Sequence, residues 1–308
     1  MVSGISGVVL NRMMAGINFE FYNNEQFQFS KGEILMSWKK APYLILAVAI
    51  FSTCDSITDF FITDEQEVEM GDKFKAEILA DKTNYPQYKN TNSRTDSVIK
   101  YVEEIGNKIV NVQTDRKKED LHFDFTLIDN DTMINAFAVP GGHVFVYTGL
   151  LKAAQSGAEV AGVIAHEIGH ITMRHGAKQL MKASAVDVVN QVLFGSDSAS
   201  VAGAVAQICE SLLFLKFSRE DEYEADSCAV AYTVAANYSP YGIKYFFQTL
   251  MKKYGGGMGP FEVVSTHPDT QKRIDEVVRI AKKTTNAPPD DGATKMYKDE
   301  FLVIREKI

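Results

Sequence analysis

Cysteine is nearly missing from this chain. Its 308 residues hold three, Cys54, Cys209 and Cys228. That is too few for a disulfide framework, and none has the Cys-x-x-Cys spacing of a metal clip. Cys209 and Cys228 fall in segments that read as helix, where a free thiol serves as a small buried apolar group. Positive charge is also in deficit: 32 Lys and Arg stand against 40 Asp and Glu, for a net charge of -8 and a pI near 5.4. Nucleic-acid binding normally rests on a basic surface, so no nucleic-acid partner is expected. Membrane-spanning runs are missing too. Ala41 to Phe51 is apolar over only about eleven residues, too short to span a bilayer comfortably. Glu210 and Lys216 interrupt the apolar stretch from Val201 to Phe217, which reads as core. What remains is an ordinary globular composition, 45% apolar and 23% charged, enough for one sizeable domain.

The short apolar run has a particular setting. Lys39 and Lys40 precede it and Ser52-Thr53-Cys54 follow, the order of a secretory signal of the lipoprotein type. Phe51, three before Cys54, departs from the aliphatic residue usual there. Removal of the signal would leave Cys54 as a lipid-anchored first residue. Far more sequence precedes Met36 than a signal requires, so residues 1–35 read as an upstream extension without structural role. The expected organisation is then 36–54 signal, 55–69 tether, 70–283 main domain and 284–308 C-terminal extension. The fold class expected is α+β, mainly α-helical.

Residues Asp64 to Asp81 are helix-compatible. Thr95 to Val112 carries Val98, Tyr101, Val102, Ile105, Ile109 and Val112 at helical spacing. A polar loop, Asn84 to Asn92, divides these two helices, and both are expected to pack over the helix that carries the site. From His122 to Leu127 apolar residues alternate with polar ones, as in a half-buried strand. Asn135 to Val139 and Val144 to Tyr147 flank Pro140-Gly141-Gly142 and predict a hairpin or tight strand pair. Asn135, Ala136, Phe137 and Ala138 either pack structurally or hold an extended peptide along a strand edge; the sequence leaves both open. The small polar residues Gly195 to Ser200 read as a mobile connection.

The chemistry concentrates in Val163-Ile164-Ala165-His166-Glu167-Ile168-Gly169-His170. Val160, Val163, Ile164, Ile168 and Ile171 recur at helical spacing, and Ser156 with Glu159 three residues on is a helix-start signature near Gly157. Histidines four apart project from one helix face, one turn apart, where a single tetrahedral ion can bridge both imidazoles. Glu167 lies beside that face, placed to act as a base without being a ligand. The pattern predicts zinc hydrolysis, against a chance match of five residues. His175 lies about 140° round a continuous helix from His170 and is excluded as a ligand. His122 and His143 fall in strands, with no ligand spacing.

A later run, Ser218 to Asp226, starts another helix with Ser218 as cap. Acidic residues there can be capping alone. Glu222 and Asp226, however, share a face, while Glu220 and Glu224 each lie about 200° from Glu222. Ala225 and Ala229 permit close approach of another helix. Glu222 can thus be a ligand, with Asp226 orienting a ligand histidine.

Four motifs occur together and in order: His166-Glu-Ile-Gly-His170; Ser218-Arg-x-x-Glu222-x-Glu-Ala-Asp226; Asn135-Ala-Phe-Ala-x-Pro-Gly-Gly before them; and Ser265-Thr266-His267-Pro268 with Arg273-Ile274 after them. The chain resembles the gluzincin family that includes the CAAX prenyl proteases and the heat-shock protease HtpX, and more closely its soluble, lipoprotein-like bacterial branch, over roughly residues 70–283. The resemblance implies a zincin catalytic domain with a small sheet next to the His-Glu-x-x-His helix. It implies one Zn²⁺ per subunit on His166, His170 and Glu222, with Glu167 as catalytic base. It also places His267 near the site, either stabilising the transition state or capping the metal, with a structural turn the competing reading. The expected function is a zinc endopeptidase cutting misfolded or misassembled polypeptides of the cell envelope. The protein would be lipid-anchored through Cys54, with its catalytic domain on the periplasmic side. The rival is a zinc-bound chaperone that holds such proteins without cutting them.

Overall fold

The computed structural model describes residues 19–22, 26–29, 35–37, 62–116, 118–182, 203, 217–254 and 270–308. The readings at Cys54, at most of the signal and tether, at Gly195 to Ser200, at Cys209 and at His267 lie outside these residues. So does the Val201 to Phe217 stretch, apart from residues 203 and 217. The chain divides into two compact units, residues 1–60 and 61–308. The first contains an antiparallel meander of β1 (Phe19–Tyr22), β2 (Gln26–Phe29) and β3 (Leu35–Ser37). Phe19 pairs with Phe29, and Phe27 with Met36. The boundary expected at Met36 therefore falls within β3.

The second unit begins with α1 (Asp64–Ala80) and α2 (Ser93–Val110), each opened by a capping box, Thr63 with Gln66 and Asn92 with Thr95. Three short strands follow: β4 (Asp124–Ile128), β5 (Ala136–Val139) and β6 (His143–Tyr147). They form one sheet of order β4-β6-β5, with β4 parallel and β5 antiparallel to the central β6. The Pro140–Gly142 turn makes the expected hairpin of β5 and β6. It requires φ of +88° at Gly141 and +122° at Gly142, values that L side chains rarely adopt. After a short α3 (Thr148–Ala153) come α4 (Gly157–Thr172), α5 (His175–Lys182), α6 (Arg219–Ala235), α7 (Gly242–Tyr254), α8 (Thr270–Ala281) and α9 (Lys298–Arg305). This is the mainly helical α+β zincin-like architecture that the sequence implied.

Helix α4 is the axis of the unit: every one of its residues is buried. A helix apolar on most of its circumference can only be covered on all sides. Helices α6 and α7 pack most extensively on it, and α2, β5 and α9 close the remainder. Close approach of α7 depends on Gly242, where a Cβ would lie 1.9 Å from the Ala158 carbonyl oxygen. One face of the sheet, with Phe125, Leu127, Ala136, Val144 and Val146, faces this core.

The other face carries Ile128, Phe145 and Tyr147, and here the structure corrects an expectation. Helix α1 does not join α2 over α4. Its Met70, Phe74 and Ile78 fill a second core against the outer sheet face and α5. Burying a large apolar side chain stabilises by ~2–3 kcal/mol, and the outer sheet face offers Ile128, Phe145 and Tyr147 to be covered. The residues set apart as a C-terminal extension pack within this unit as well. Phe301 is fully buried beside Tyr101, with ring centroids 6.0 Å apart. No helix among the described residues is long and apolar enough to cross a membrane.

Candidate metal centre

The site is built where α4 meets α6. Helix α4 starts after Ser156, whose hydroxyl accepts the Glu159 N–H at 3.2 Å. Its next free donors, Gly157 N–H and Ala158 N–H, reach the carbonyls of Tyr297 and Met296. Helix α6 starts at a full capping box of Ser218 and Asp221. Small residues then let the two helices touch: a Cβ on Gly169 would meet Ala225 and Cys228 of α6 at 3.0–3.2 Å. The approach brings three buried side chains together. Nε2 of His166 lies 3.0 Å from Nε2 of His170 and 3.5 Å from a Glu222 carboxylate oxygen, and His170 Nε2 lies 3.7 Å from the other oxygen.

Those separations test a metal directly. Donors held at zinc bond lengths of about 2.0–2.1 Å at tetrahedral angles stand about 3.3 Å apart. The observed separations of 3.0, 3.5 and 3.7 Å, the last two to different Glu222 oxygens, bracket that value. Among the described residues this is the one group of three His, Cys, Asp or Glu side chains close enough to hold an ion. Two imidazoles and a carboxylate are the donor set of a catalytic zinc that keeps an open position.

Charged neighbours hold these donors. His166 Nδ1 lies 3.0 Å from Asp226 Oδ1. The Arg273 guanidinium from α8 then clamps Asp226 through Nε at 2.8 Å and Nη2 at 2.6 Å, and reaches Glu222 through Nη1 at 2.8 Å. Arg273 is 1% exposed and lies over the Phe247 ring at 4.8 Å. Burial alone would raise the Asp226 pKa, but the Arg273 charge and hydrogen bonds from Arg273 and His166 hold it below the ordinary carboxylate value. Burial and Arg273 both disfavour an imidazolium at His166. Hydrogen bonding to Asp226 and Glu222 outweighs them, and its pKa rises to about 9. The pocket thus attracts positive charge onto its donor atoms.

Glu167 is 3% exposed and lines a small pocket with Ala136, Val163, His166, Ile243, Phe247 and Arg273. Strand β5 forms an edge of the sheet beside α4. Tyr147 N–H donates to the Asn135 carbonyl, and Ala136 stands opposite Val146. In an antiparallel ladder the hydrogen-bonded pairs alternate, so the peptide groups of Ala136 and Ala138 face away from β6. Phe137 points to the other face and stacks on Phe145 at 4.8 Å.

Sequence reasoning brought His166, Glu167, His170, Glu222 and Asp226 to one place, but it missed two residues around them. The sequence names Arg273 only as part of a motif and gives it no role. Its signal was a cation on the stripe shared with buried Val277. His175, set aside as a ligand, lies with its Nδ1 2.9 Å from His170 Nδ1, and its Nε2 is 3.0 Å from Glu224. Burial lowers the His175 pKa against the pull of Glu224 and Asp221. His143 stands apart from the centre, bridging Asp124 at 2.5 Å and Asp72 at 3.0 Å.

Comparison with known families decides the assignment. Residues 97–281 match the model of peptidase family M48. The chain belongs to that family. It is 35% identical over 147 residues to the mitochondrial metalloendopeptidase OMA1 of Arabidopsis thaliana, covering 48% of this chain and 29% of the relative. It is 27% identical over 222 residues to the beta-barrel assembly-enhancing protease of Escherichia coli, covering 68% and 42% respectively. The Yersinia pestis protein of the same name is 29% identical over 198 residues, covering 61% and 40%. The chain thus spans less than half the length of these relatives. The family is one of peptidases, and these relatives are named as a metalloendopeptidase and as proteases.

Proposed function

We propose that this family M48 protein is a zinc-dependent endopeptidase whose substrates are misfolded or misassembled polypeptides of the cell envelope. The observation that carries the chemistry is the buried cluster of ligand atoms on His166, His170 and Glu222. Zinc bound there supplies a Lewis acid for the peptide carbonyl and an acidified water. The chain's own residues do the rest. Glu167, buried at the rim of the centre, takes a proton on its carboxylate and returns it to the leaving amine. Asp226 and Arg273 fix the His166 ring and neutralise one another's charge.

Substrate would lie along β5. The outward peptide groups of Ala136 and Ala138 can bond an extended chain, with Asn135 and Phe137 holding the strand in register. Ala136, Val163, Ile243 and Phe247 make an apolar wall beside Glu167, suited to an apolar side chain next to the scissile bond. Misfolded chains expose such side chains and extended segments together, which favours them as substrates. The relatives named for beta-barrel assembly support an envelope setting. Within the family we place the chain with the CAAX protease and HtpX group, in its lipoprotein-like branch, with Cys54 as lipid anchor and the catalytic domain on the periplasmic side. From the family resemblance we keep His267 as a candidate for the same site, either stabilising the transition state or capping the metal.

The test is incubation of the purified protein with unfolded casein, with zinc or with a chelator. Cleavage that zinc supports and the chelator abolishes is the expected result. Casein held in complex but left intact would establish the rival, a zinc-bound chaperone.

A further inference from the structure

The two imidazoles of the centre are supported in different ways. His166 Nδ1 meets a carboxylate directly, whereas His170 Nδ1 meets a second imidazole. We propose that His175 and Glu224 form a positioning pair that fixes the tautomer and orientation of His170 for metal binding. The inference rests on the zinc reading of the site.

The direction of the hydrogen bonds follows from the metal. A ligand imidazole offers the lone pair of an unprotonated nitrogen. His170 Nε2 faces His166 Nε2 and Glu222, so its proton belongs on Nδ1. That proton is donated to His175 Nδ1 at 2.9 Å. His175 then carries its own proton on Nε2 and donates it to Glu224 Oε2 at 3.0 Å. The reverse order would put a proton on His170 Nε2, where it would oppose the ion. One proton arrangement satisfies both of these hydrogen bonds, and the Glu224 carboxylate selects it because a carboxylate only accepts.

Backbone geometry makes the contact available. Helix α4 ends at Thr172, and Arg174 takes a φ of +58° in the left-handed region. The helix breaks there and α5 begins at His175, whose ring lies against His170 with centroids 4.9 Å apart. The Phe217 ring stacks on His170 at 4.0 Å from another side. His175 is completely buried, while the Glu224 side chain is half exposed. The pair therefore links a metal ligand to the protein surface.

Zinc transfer from the loaded full-length protein to a chromogenic chelator tests the pair, with His175→Phe, His175→Asn and Glu224→Ala compared with wild type. Partners of this kind typically contribute 10–100-fold to metal affinity. His175→Phe should release zinc about 10–100-fold faster, because the phenyl ring fills the space without accepting a proton. Asn places an amide oxygen near the Nδ1 position and should recover part of the loss. Glu224→Ala, at a half-exposed position, should accelerate release with the thermal unfolding of the zinc-free protein unchanged. It decides the matter alone if His175→Phe does not fold. Release from His175→Phe and Glu224→Ala at the wild-type rate overturns the pair and leaves the zinc reading standing. Asn no better than Phe also overturns it, since packing would then explain the loss. A wild-type protein that takes up no zinc overturns both readings.

Discussion

Arg273 grips Asp226 through two nitrogens at 2.8 and 2.6 Å, with both side chains buried. Asp226 in turn touches His166 Nδ1, so a residue on α8 sets the ring of a residue on α4. Removing one partner of a buried pair strands the other charge, at a cost of about 3–5 kcal/mol. Arg273→Met should therefore lower unfolding free energy by that order in denaturant titration and weaken zinc binding. Arg273→Lys should rescue little, because an ammonium cannot make the two-point contact. Wild-type stability in both variants would refute the clamp.

Glu167→Gln separates holding the metal from using it. The substitution keeps size and polarity but removes the proton acceptor at the site. The variant should bind one equivalent of zinc and lose ~10²-fold or more of its casein cleavage. Metal content by elemental analysis beside the cleavage rate checks it. Near-full activity in a zinc-loaded variant would reject Glu167 as the base.

The sequence made this centre legible because its parts follow helical arithmetic. His166 and His170 are one turn apart on α4, and Glu222 and Asp226 one turn apart on α6; helix geometry alone puts each pair on one face. The same arithmetic rightly excluded His175 as a ligand but missed its contact with His170. Counting 100° per residue assumes an unbroken helix, and the left-handed Arg174 ends that assumption one residue earlier. Glu224 was turned away from the ligands by the same count, correctly, yet it points at His175 instead. Arg273 was hidden differently: its partners Asp226 and Glu222 are distant in sequence, and only tertiary packing supplies them. Helix α1 was misplaced because its amphipathic pattern says that it is covered on one side without saying by what.

Glu159 makes stability depend on pH. It is buried near the start of α4 at 3% exposure, and burial raises its pKa from 4.5 to about 7 despite hydrogen bonds from Gln155 N–H, Thr249 and Ser156. The folded state thus holds this proton more tightly than the unfolded chain. Its contribution is most favourable below about pH 4.5 and is lost as pH rises through about 7, by up to about 3 kcal/mol. Glu159→Gln keeps the acceptor and cannot ionise. Its melting temperature should exceed that of wild type at pH 8 by more than at pH 5. Parallel melting curves at the two pH values would show that Glu159 ionises normally.

The C-terminal segment should be required for the centre through its contacts with the first turn of α4. Met296 and Tyr297 carbonyls accept the Ala158 and Gly157 N–H groups at the first turn of α4, at 3.0 and 3.3 Å. Phe301, four residues beyond Tyr297, anchors that contact in the core against Tyr101. Emptying a buried phenyl site costs about 3–5 kcal/mol, so Phe301→Ala should lower unfolding free energy by that order. Ending the chain before Met296 removes the anchor and also leaves two donors at the start of α4 without acceptors. Each such buried donor costs a further ~1–3 kcal/mol, and the truncated protein should be the less stable of the two. Because α4 carries His166 and His170, its zinc retention should fall with its melting temperature. A truncated protein that melts and holds zinc as wild type does would make residues 296–308 a dispensable tail, and the capping contact at Gly157 and Ala158 would then carry no stability.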